Sequence, residues 1–260
     1  MLPRERQIEI VKLVGRHRTV KTSHLAELLK CTEETIRRDL DALEKVGKVV
    51  RTHGGVMSSK DSMEEIQHHK RESNQILEKK QIGKTACSYI SEDDTIFIDE
   101  SSTALAMVDY LPTDIEFSLV TTSLLVSKRV SAMDNVKLYL LGGLYDDMSY
   151  SFGGYMAEQA MQFMTVDRFF FSCKGIDLKQ GGTEGNEERA RLKKNLLQSA
   201  QWACALADHT KLGLKARFAF IFPSSIDLLI TDDAASTADL KQYELAGIKT
   251  QTTTTPTKES

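Results

Sequence analysis

Two adjacent arginines, Arg37 and Arg38, follow Thr35 in the first part of the chain. A guanidinium group can contact a phosphate or pair in bidentate fashion with guanine, and a threonine can reach a phosphate or a thymine methyl group. Two arginines on a helix are equally well a solvent-exposed face, because surface arginines are common. These residue types therefore permit nucleic-acid binding, and the elements around them decide between the two interpretations.

The charge of the chain is distributed unevenly. The formal net charge is −3. Residues 1–60 contain 13 Lys and Arg against 8 Asp and Glu, which leaves 21 against 29 for residues 61–260. The first segment is therefore basic and the remainder acidic, which indicates a polyanionic partner for the first segment only.

Apolar spacing predicts three helices in this basic segment, over residues 4 to about 17, 23–30 and 33–46. Residues 15–22 are predicted to break the first helix. In the third helix, Thr32 can act as N-cap and the buried face takes residues 36, 40 and 43, which turns the two arginines outward. Residues 48–56 indicate two short strands. This order is typical of a winged helix-turn-helix whose third helix enters the major groove of DNA.

Beyond residue 80, short apolar runs alternate with helical patterns. The predicted strands are 95–99, 117–121, 136–141, 168–172, 203–207 and 228–231. The alternation predicts an α/β domain with a mostly parallel sheet and helices on both of its faces. Because ligands of such sheets bind beyond the carboxyl ends of the strands, the side chains that bind a ligand are expected directly after each strand.

Polar and glycine residues do follow these strands. The first strand runs into Glu100, Ser101, Ser102 and Thr103 before a helical stretch. Hydroxyl and backbone N–H groups there can hold a phosphate, while capping of the helix by a serine explains the same residues. Gly142-Gly143 after the third strand permits a close backbone approach to a ligand, although a plain turn is the commoner reason for paired glycines.

The residues of the basic segment resemble a known family signature. Thr35-Ile36-Arg37-Arg38-Asp39-Leu40, with Leu43-Glu44, Gly47 and Arg51-Thr52-His53-Gly54-Gly55, is similar to the signature of the DeoR family of bacterial transcriptional regulators. The resemblance implies a winged helix-turn-helix head and a C-terminal sensor related to ribose-5-phosphate isomerase. The expected DNA-binding residues are Thr35, Arg37, Arg38, Arg51 and His53. Where Glu34 stands, the family commonly has a small hydroxyl residue or another residue, so the resemblance leaves the base preference at this position open.

The acidic remainder of the chain extends this resemblance. Asp99, Ser102 and Thr103 match an Asp-x-Gly-Thr-Thr-like loop in which Ser101 replaces the glycine, and a serine tolerates positive φ poorly. Lysines offer a point charge to a phosphate and carboxylates accept sugar hydroxyls, although an acidic and lysine-rich helix is by default a solvated face. The expected effector-binding residues are Asp99, Ser102, Thr103, Thr122, Gly142, Gly143, Lys174, Glu188, Lys193, Asp208 and Lys211. Of these, Lys174 is less typical of the family and is expected as a local addition to the pocket.

Composition divides the chain into four parts. Residues 1–57 form the predicted DNA-binding domain, and the charged segment 58–75 is a linker. The predicted effector-binding domain covers residues 76–248, and the threonine-rich residues 249–260 are expected to be a disordered tail.

These patterns favour a cytoplasmic DNA-binding transcriptional regulator. By the resemblance, it is a repressor of a carbohydrate-metabolism operon whose operator affinity is modulated by a phosphorylated sugar or sugar derivative. A homo-oligomer, dimer or tetramer, is expected because one small head makes too few contacts for specificity. The alternative is a sugar-phosphate isomerase with an accessory head, using carboxylates from Asp99, Asp177 or Glu188.

No cofactor, membrane association or metal site is expected. The four cysteines are scattered without a Cys-x-x-Cys pair, and no run approaches the about 18 apolar residues of a membrane helix.

Overall fold

A computed structural model describes residues 2–17, 19–52, 54–58 and 74–253 of the chain. The chain divides into two compact units, residues 1–71 and 72–260. We call the first the head and the second the sensor.

The described residues of the head form three helices and a small sheet. Helices α1 (Pro3–His17), α2 (Thr22–Leu28) and α3 (Glu33–Lys45) pack with strands β1 (Thr19–Lys21), β2 (Val49–Thr52) and β3 (Gly55–Ser58). The antiparallel sheet has the order β1-β3-β2. Strand β1 corrects the prediction of an irregular break at 15–22, because pairing with β3 satisfies the backbone groups of a segment too short to show a strand pattern.

Helix α3 is built as its sequence predicts. Thr32 is the N-cap, and its hydroxyl accepts a hydrogen bond from the Thr35 amide at 3.3 Å. Its buried stripe, defined as Ile36, Leu40 and Leu43, joins the head core with residues of the other two helices and of the sheet. Helix α2 ends two residues earlier than predicted, and Lys30 has a φ of 51°, which is incompatible with a continuing right-handed helix.

A seven-stranded sheet forms the centre of the sensor. Its strands run in the order β15-β14-β12-β9-β4-β5-β6, and every neighbouring pair is parallel. The strands are β4 (Thr95–Ile98), β5 (Phe117–Thr121), β6 (Val136–Leu140), β9 (Val166–Phe171), β12 (Ala200–Leu206), β14 (Leu228–Thr231) and β15 (Lys249–Thr252). The predicted mostly parallel sheet is confirmed.

Helices cover both faces of this sheet. Alternate strand residues point to opposite faces, so Phe97 belongs to one core cluster whereas Ile96 and Ile98 belong to the other. The helices are α4 (Ile76–Cys87), α5 (Ser102–Leu105), α6 (Leu124–Val130), α7 (Gly154–Met161), α8 (Glu187–Leu197) and α9 (Thr237–Leu245). Short 3₁₀ segments are Ala106–Tyr110, His209–Lys211 and Pro223–Ser225.

Strand β15 corrects the predicted start of the tail. Residues 249–252 pair in parallel with β14, from Leu228 opposite Lys249 to Thr231 opposite Thr252. The polar residues of β15 suit an edge strand, where one side of the backbone and much of the side-chain surface face solvent. The sensor therefore extends beyond residue 248, and residues 254–260 lie outside the described part.

Besides the central sheet, the described residues of the sensor form two small antiparallel sheets. Strands β10 (Gly175–Asp177), β11 (Gly181–Glu184) and β13 (Phe218–Ile221) form a three-stranded sheet, and β7 (Leu144–Asp146) pairs with β8 (Ser151–Gly153). The sequence did not predict these strands, because they are short and rich in glycine or polar residues.

The single tryptophan of the chain, Trp202, lies on β12. Its ring stacks on Tyr89 with a centroid distance of 5.5 Å, and the Arg168 guanidinium carbon lies 5.4 Å from the ring centroid. Among the described helices, none combines the length and apolarity that crossing a bilayer requires.

Candidate DNA-binding and effector sites

The outward face of α3 carries the arginines that the sequence singled out. Arg37 and Arg38 are exposed, with 53% and 79% of their side-chain surface accessible. Arg37 Nη2 lies 3.2 Å from Glu33 Oε2, and Arg38 Nε lies 3.4 Å from Glu34 Oε1. Thr35 is half-buried, and its hydroxyl lies 2.9 Å from that of Thr32. Exposed ion pairs of this kind are weak, so phosphates can displace them.

Arg51 occupies a different position from the other predicted DNA-binding residues. Its Nη1 donates to Asp41 Oδ1 at 3.0 Å and to the Arg37 carbonyl at 3.4 Å, and its backbone amide donates to Glu44 Oε1 at 3.0 Å. Arg51 therefore links β2 to α3. His53, the remaining predicted contact, lies outside the described residues.

A buried carboxylate that the sequence did not indicate joins α1 to α3. Asp39 accepts a hydrogen bond from Gln7 Nε2 at 3.1 Å and pairs with Arg6. The hydrogen bond to Asp39 is the main reason that the Arg6 pKa is raised above its ordinary value. This contact fixes α3, which carries the arginines, against α1.

In the sensor, several predicted residues meet at the carboxyl ends of the strands, and Lys193 on α8 lies among them. Its ammonium group has acceptors at 2.8 Å (the Ser172 carbonyl), 2.9 Å (Glu184 Oε1) and 2.9 Å (Asp99 Oδ2), with Glu100 Oε1 at 3.5 Å. An ammonium has three donors, so these contacts satisfy it. The default interpretation of Lys193 as part of a solvated helix face is wrong.

We define the cluster at these strand ends as Asp99, Glu100, Thr103, Ser172, Glu184, Lys193, Asp208 and Lys211. Its carboxylates and lysines are close enough to affect one another. Burial alone would lower the Lys193 pKa, but Asp99, Glu100 and Glu184 raise it well above its ordinary value. Burial also raises the Glu100 pKa, and the neighbouring Asp99 and Glu184 carboxylates add to that rise against the opposing effect of Lys193. The environment therefore disfavours the charged form of Glu100 and favours the charged form of Lys193.

Both carboxylate oxygens of Asp99 accept hydrogen bonds from the protein itself. Its Oδ1 accepts from the Ser101 amide at 3.0 Å, and its Oδ2 accepts from the Ser172 amide at 3.0 Å. Ser101 has a φ of −72°, so the expected difficulty of a serine at this position does not arise. The Ser101 hydroxyl accepts from the Ala104 amide at 3.2 Å and caps α5, which is the capping role that the sequence left open.

Lys211 is the more open of the two cluster lysines. Its Nζ lies 2.8 Å from Ser172 Oγ, 3.3 Å from Thr103 Oγ1 and 3.6 Å from Asp208 Oδ2, and 19% of its side chain is exposed. The Ser172 hydroxyl donates to the Leu206 carbonyl, so it accepts from Lys211. Asp208 also accepts from the Thr210 amide at 3.2 Å, which holds the Lys211 turn.

The remaining predicted effector residues are distributed differently. Thr122 Oγ1 is fully buried and has no hydrogen-bond partner among the described residues. Glu188 and Lys174 are exposed. Burial acts to raise the Glu184 pKa, but Lys193, Arg189 and, to a smaller extent, Lys174 lower it below its ordinary value. Ser102, at the start of α5, is half-buried.

The two adjacent glycines after β6, Gly142 and Gly143, differ in the space around them. A Cβ at Gly143 would lie 2.4 Å from the Gly153 carbonyl oxygen and 3.3 Å from the Ala157 amide nitrogen, so the close approach is to the protein's own backbone. A Cβ at Gly142 would meet nothing within 4 Å. Of the pair, only Gly142 has open space around it.

Sequence reasoning missed Ser172, Glu184 and Glu100 as members of the cluster. Ser172 follows β9 directly, but the predicted strand 168–172 ended one residue too late and included it, so its position at a strand end was not recognised. Glu184 ends β11, an element without a clear pattern. In the described ranges, no group of three or more His, Cys, Asp or Glu residues is placed to hold a metal ion.

The carboxylates considered for an isomerase have structural partners or lie apart. Asp99 is engaged as described, and Asp177 accepts from the Lys179 and Gln180 amides at 3.0 and 2.9 Å and pairs with Lys215. Glu188 is exposed on the first turn of α8.

A head with exposed arginines on a capped helix, joined to an α/β sensor, defines a DNA-binding transcriptional regulator. Residues 6–62 match the DeoR-like helix-turn-helix domain, and residues 74–233 match the DeoR C-terminal sensor domain. The chain belongs to the DeoR family. The family consists of regulators, and the isomerase alternative is not favoured.

Relatives cover nearly the whole chain. An uncharacterized HTH-type transcriptional regulator of Bacillus subtilis (strain 168), YulB, is 35% identical over 96% of each chain. The lactose phosphotransferase system repressor of Streptococcus mutans serotype c is 30% identical over 89% of this chain and 93% of its own.

Among solved structures, ribose 5-phosphate isomerase A of Methanocaldococcus jannaschii is similar to part of the chain. It is 17% identical over 54% of this chain and 55% of its own, with a TM-score of 0.40.

Proposed function

We propose that this regulator is a cytoplasmic repressor of a carbohydrate-metabolism operon, and that a phosphorylated sugar binding to the sensor changes its affinity for the operator. The 30% identity to a repressor of a lactose phosphotransferase system supports the carbohydrate assignment. The single observation that carries the ligand assignment is the Lys211 ammonium, partly exposed between two hydroxyl groups at the carboxyl edge of the sheet.

Lys211 is the proposed contact of the phosphate. Its neighbours Thr103 and Ser172 are neutral, so an incoming anion meets one nearby carboxylate, Asp208 at 3.6 Å, rather than three. Lysine suits a phosphate as a point charge. Ser102, next to Thr103 at the start of α5, completes this end of the proposed site, and the open backbone at Gly142, which follows the edge strand β6, is proposed to border its far side.

The sugar hydroxyls are assigned to Asp208, whose carboxylate lies beside Lys211. Asp99 and Lys193, whose hydrogen-bonding groups are engaged within the protein, are proposed to hold the wall of the site in place. The unpartnered hydroxyl of Thr122 is a further candidate, because a buried polar group without a partner costs free energy that a ligand atom can recover. Lys174 and Glu188 are proposed as outer contacts.

The operator is proposed to bind two or more heads of a homo-oligomer. One helix-turn-helix contacts a few base pairs, and dimers bind half-sites about one helical turn apart. In each head, Thr35, Arg37, Arg38 and His53 are the proposed DNA contacts, with Arg51 placing the wing. The effector acts through the difference in its affinity for two arrangements of the oligomer.

A thermal-shift screen of the full chain against phosphorylated sugars tests the proposal. A ligand at 100 times its dissociation constant stabilises the native state by about 2.7 kcal/mol. Lys211→Ala and Thr103→Ala should abolish the shift, whereas Lys241→Ala, at an exposed lysine of α9, should retain it. The active compound should also change retardation of an operator fragment, and a full response in Lys211→Ala would contradict the site.

A further inference from the structure

Glu34 lies at the centre of the outward face of α3. Successive residues of a helix are about 100° apart, so Glu34 falls opposite the middle of the buried stripe. It is the second residue of the helix, and 62% of its side chain is exposed. The first turn of a recognition helix is the part that contacts base edges. Any duplex held by Arg37 and Arg38 therefore places its bases next to this carboxylate.

A carboxylate in that position discriminates strongly among bases. It accepts hydrogen bonds only, and the phosphates and the acceptor edges of guanine and thymine repel it. The major-groove donors are the amino groups of cytosine and adenine. Each base pair contains one adenine or one cytosine and so offers one such donor, and the groups beside the glutamate decide which donor it accepts from.

Arg38 limits the choice further. Its Nε lies 3.4 Å from Glu34 Oε1, which leaves its two terminal amino groups free to donate. The two side chains thus present an acceptor next to a pair of donors. A C·G base pair presents the complement in the major groove, with the cytosine N4 amino group beside the guanine O6 and N7 acceptors.

We propose that Glu34 and Arg38 act as one unit that reads a single C·G base pair in each operator half-site. Glu34 accepts from cytosine N4, and Arg38 donates to the guanine of the same pair. Arg37, whose Nη2 lies 3.2 Å from Glu33 Oε2 and whose Nη1 lies 3.9 Å from Glu34 Oε2, contacts the DNA backbone instead. The assignment rests on the head alone and does not depend on the identity of the effector.

The test selects binding sites from random duplexes with the full-length protein. The wild type should enrich a motif with a fixed C·G pair, and Glu34→Ala should lose the preference at that pair while keeping the rest of the motif. Glu33→Ala is the matched control, because Glu33 also pairs with Arg37 but lies beside the buried stripe. It should retain the full motif.

A second measurement isolates the atom involved. A cytosine analogue without the N4 amino group, placed at the selected pair, should weaken wild-type binding about tenfold more than it weakens Glu34→Ala binding. The Glu34→Ala comparison is needed because the analogue also removes the Watson–Crick hydrogen bond to guanine O6 in both complexes. An unchanged motif in Glu34→Ala, a uniform change in affinity without a change in preference, or equal effects of the analogue on both proteins would overturn the proposal. So would a wild-type protein that enriches no motif.

Discussion

The carboxylate of Asp232 binds His209 through both of its oxygens. Oδ1 accepts the His209 amide at 2.7 Å, and Oδ2 lies 2.7 Å from the imidazole Nδ1. Asp232 is completely buried and follows β14, whereas His209 begins the turn that ends at Lys211. One strand end therefore fixes the segment that carries the proposed phosphate contact.

Removing this carboxylate should loosen the Lys211 turn. We expect Asp232→Ala to cost about 1–3 kcal/mol of unfolding free energy, because the partly buried His209 amide loses its acceptor. Effector-induced stabilisation should fall as well. Denaturant unfolding followed by circular dichroism measures the first effect. Asp239→Ala, at an exposed position of α9, should stay within about 0.5 kcal/mol of the wild type, and equal losses in both variants would contradict the assignment.

Lys193 is expected to be essential for the stability of the sensor. Replacement by Met leaves three carboxylates in a buried site without their cation, and breaking a buried pair costs about 3–5 kcal/mol. Its neighbour Lys194 is exposed on the same helix, so Lys194→Met is the matched control. Urea midpoints that shift by the same amount in the two variants would refute this account of the cluster.

Glu100 should make the sensor less stable as the pH rises. Because burial and the neighbouring carboxylates raise its pKa in the folded state, the folded protein holds this proton to a higher pH than the unfolded chain. Stability is then lost between the ordinary carboxyl pKa and the raised one. Glu100→Gln removes this loss, so it should match the wild type near pH 4 and exceed it at pH 8. Parallel stability curves for the two proteins would show that Glu100 carries no such proton.

The two adjacent glycines offer a paired test. Gly143→Ala brings a methyl group against the Gly153 carbonyl, and overpacking of this kind costs about 1–3 kcal/mol. Gly142→Ala should leave stability nearly unchanged, since its Cβ enters open space. If Gly142 borders the effector, the same change should weaken ligand binding. Thermal melts with and without ligand separate the two effects.

Arg37 should contribute by neutralising a phosphate of the operator. The slope of log affinity against log salt concentration falls in magnitude by about 0.9 for each DNA phosphate that a protein no longer neutralises. We expect that change for Arg37→Ala in titrations of an operator fragment at several salt concentrations. Arg129→Ala, which removes a half-exposed arginine paired with Asp109 in the sensor, should leave the slope as in the wild type.

The sequence predicted those parts of the molecule that are set by local periodicity and capping. The helices of the head and the six main strands follow from residues that must be buried on one face, such as Ile36 and Phe97. Thr32 and Ser101 were identified as possible caps because their chemistry acts on the next few residues. The family motif located Lys211 and Asp208.

Contacts between distant segments could not be predicted in this way. Ser172 supports Lys193 through its carbonyl and Lys211 through its hydroxyl, a double role that appears only when β9 lies beside α8 and the 3₁₀ turn. The need for glycine at residue 143 depends on a carbonyl ten residues away. Strand β15 was assigned to a tail because an edge strand of polar residues has no apolar pattern.

Trp202 gives the two units different optical signatures. The head contains no tryptophan, whereas the indole of the sensor stacks on Tyr89 and lies near the Arg168 guanidinium. Indole emission therefore reports melting of the sensor alone, while far-ultraviolet circular dichroism reports both units. A head that unfolds independently would produce an ellipticity change with no accompanying shift in emission wavelength.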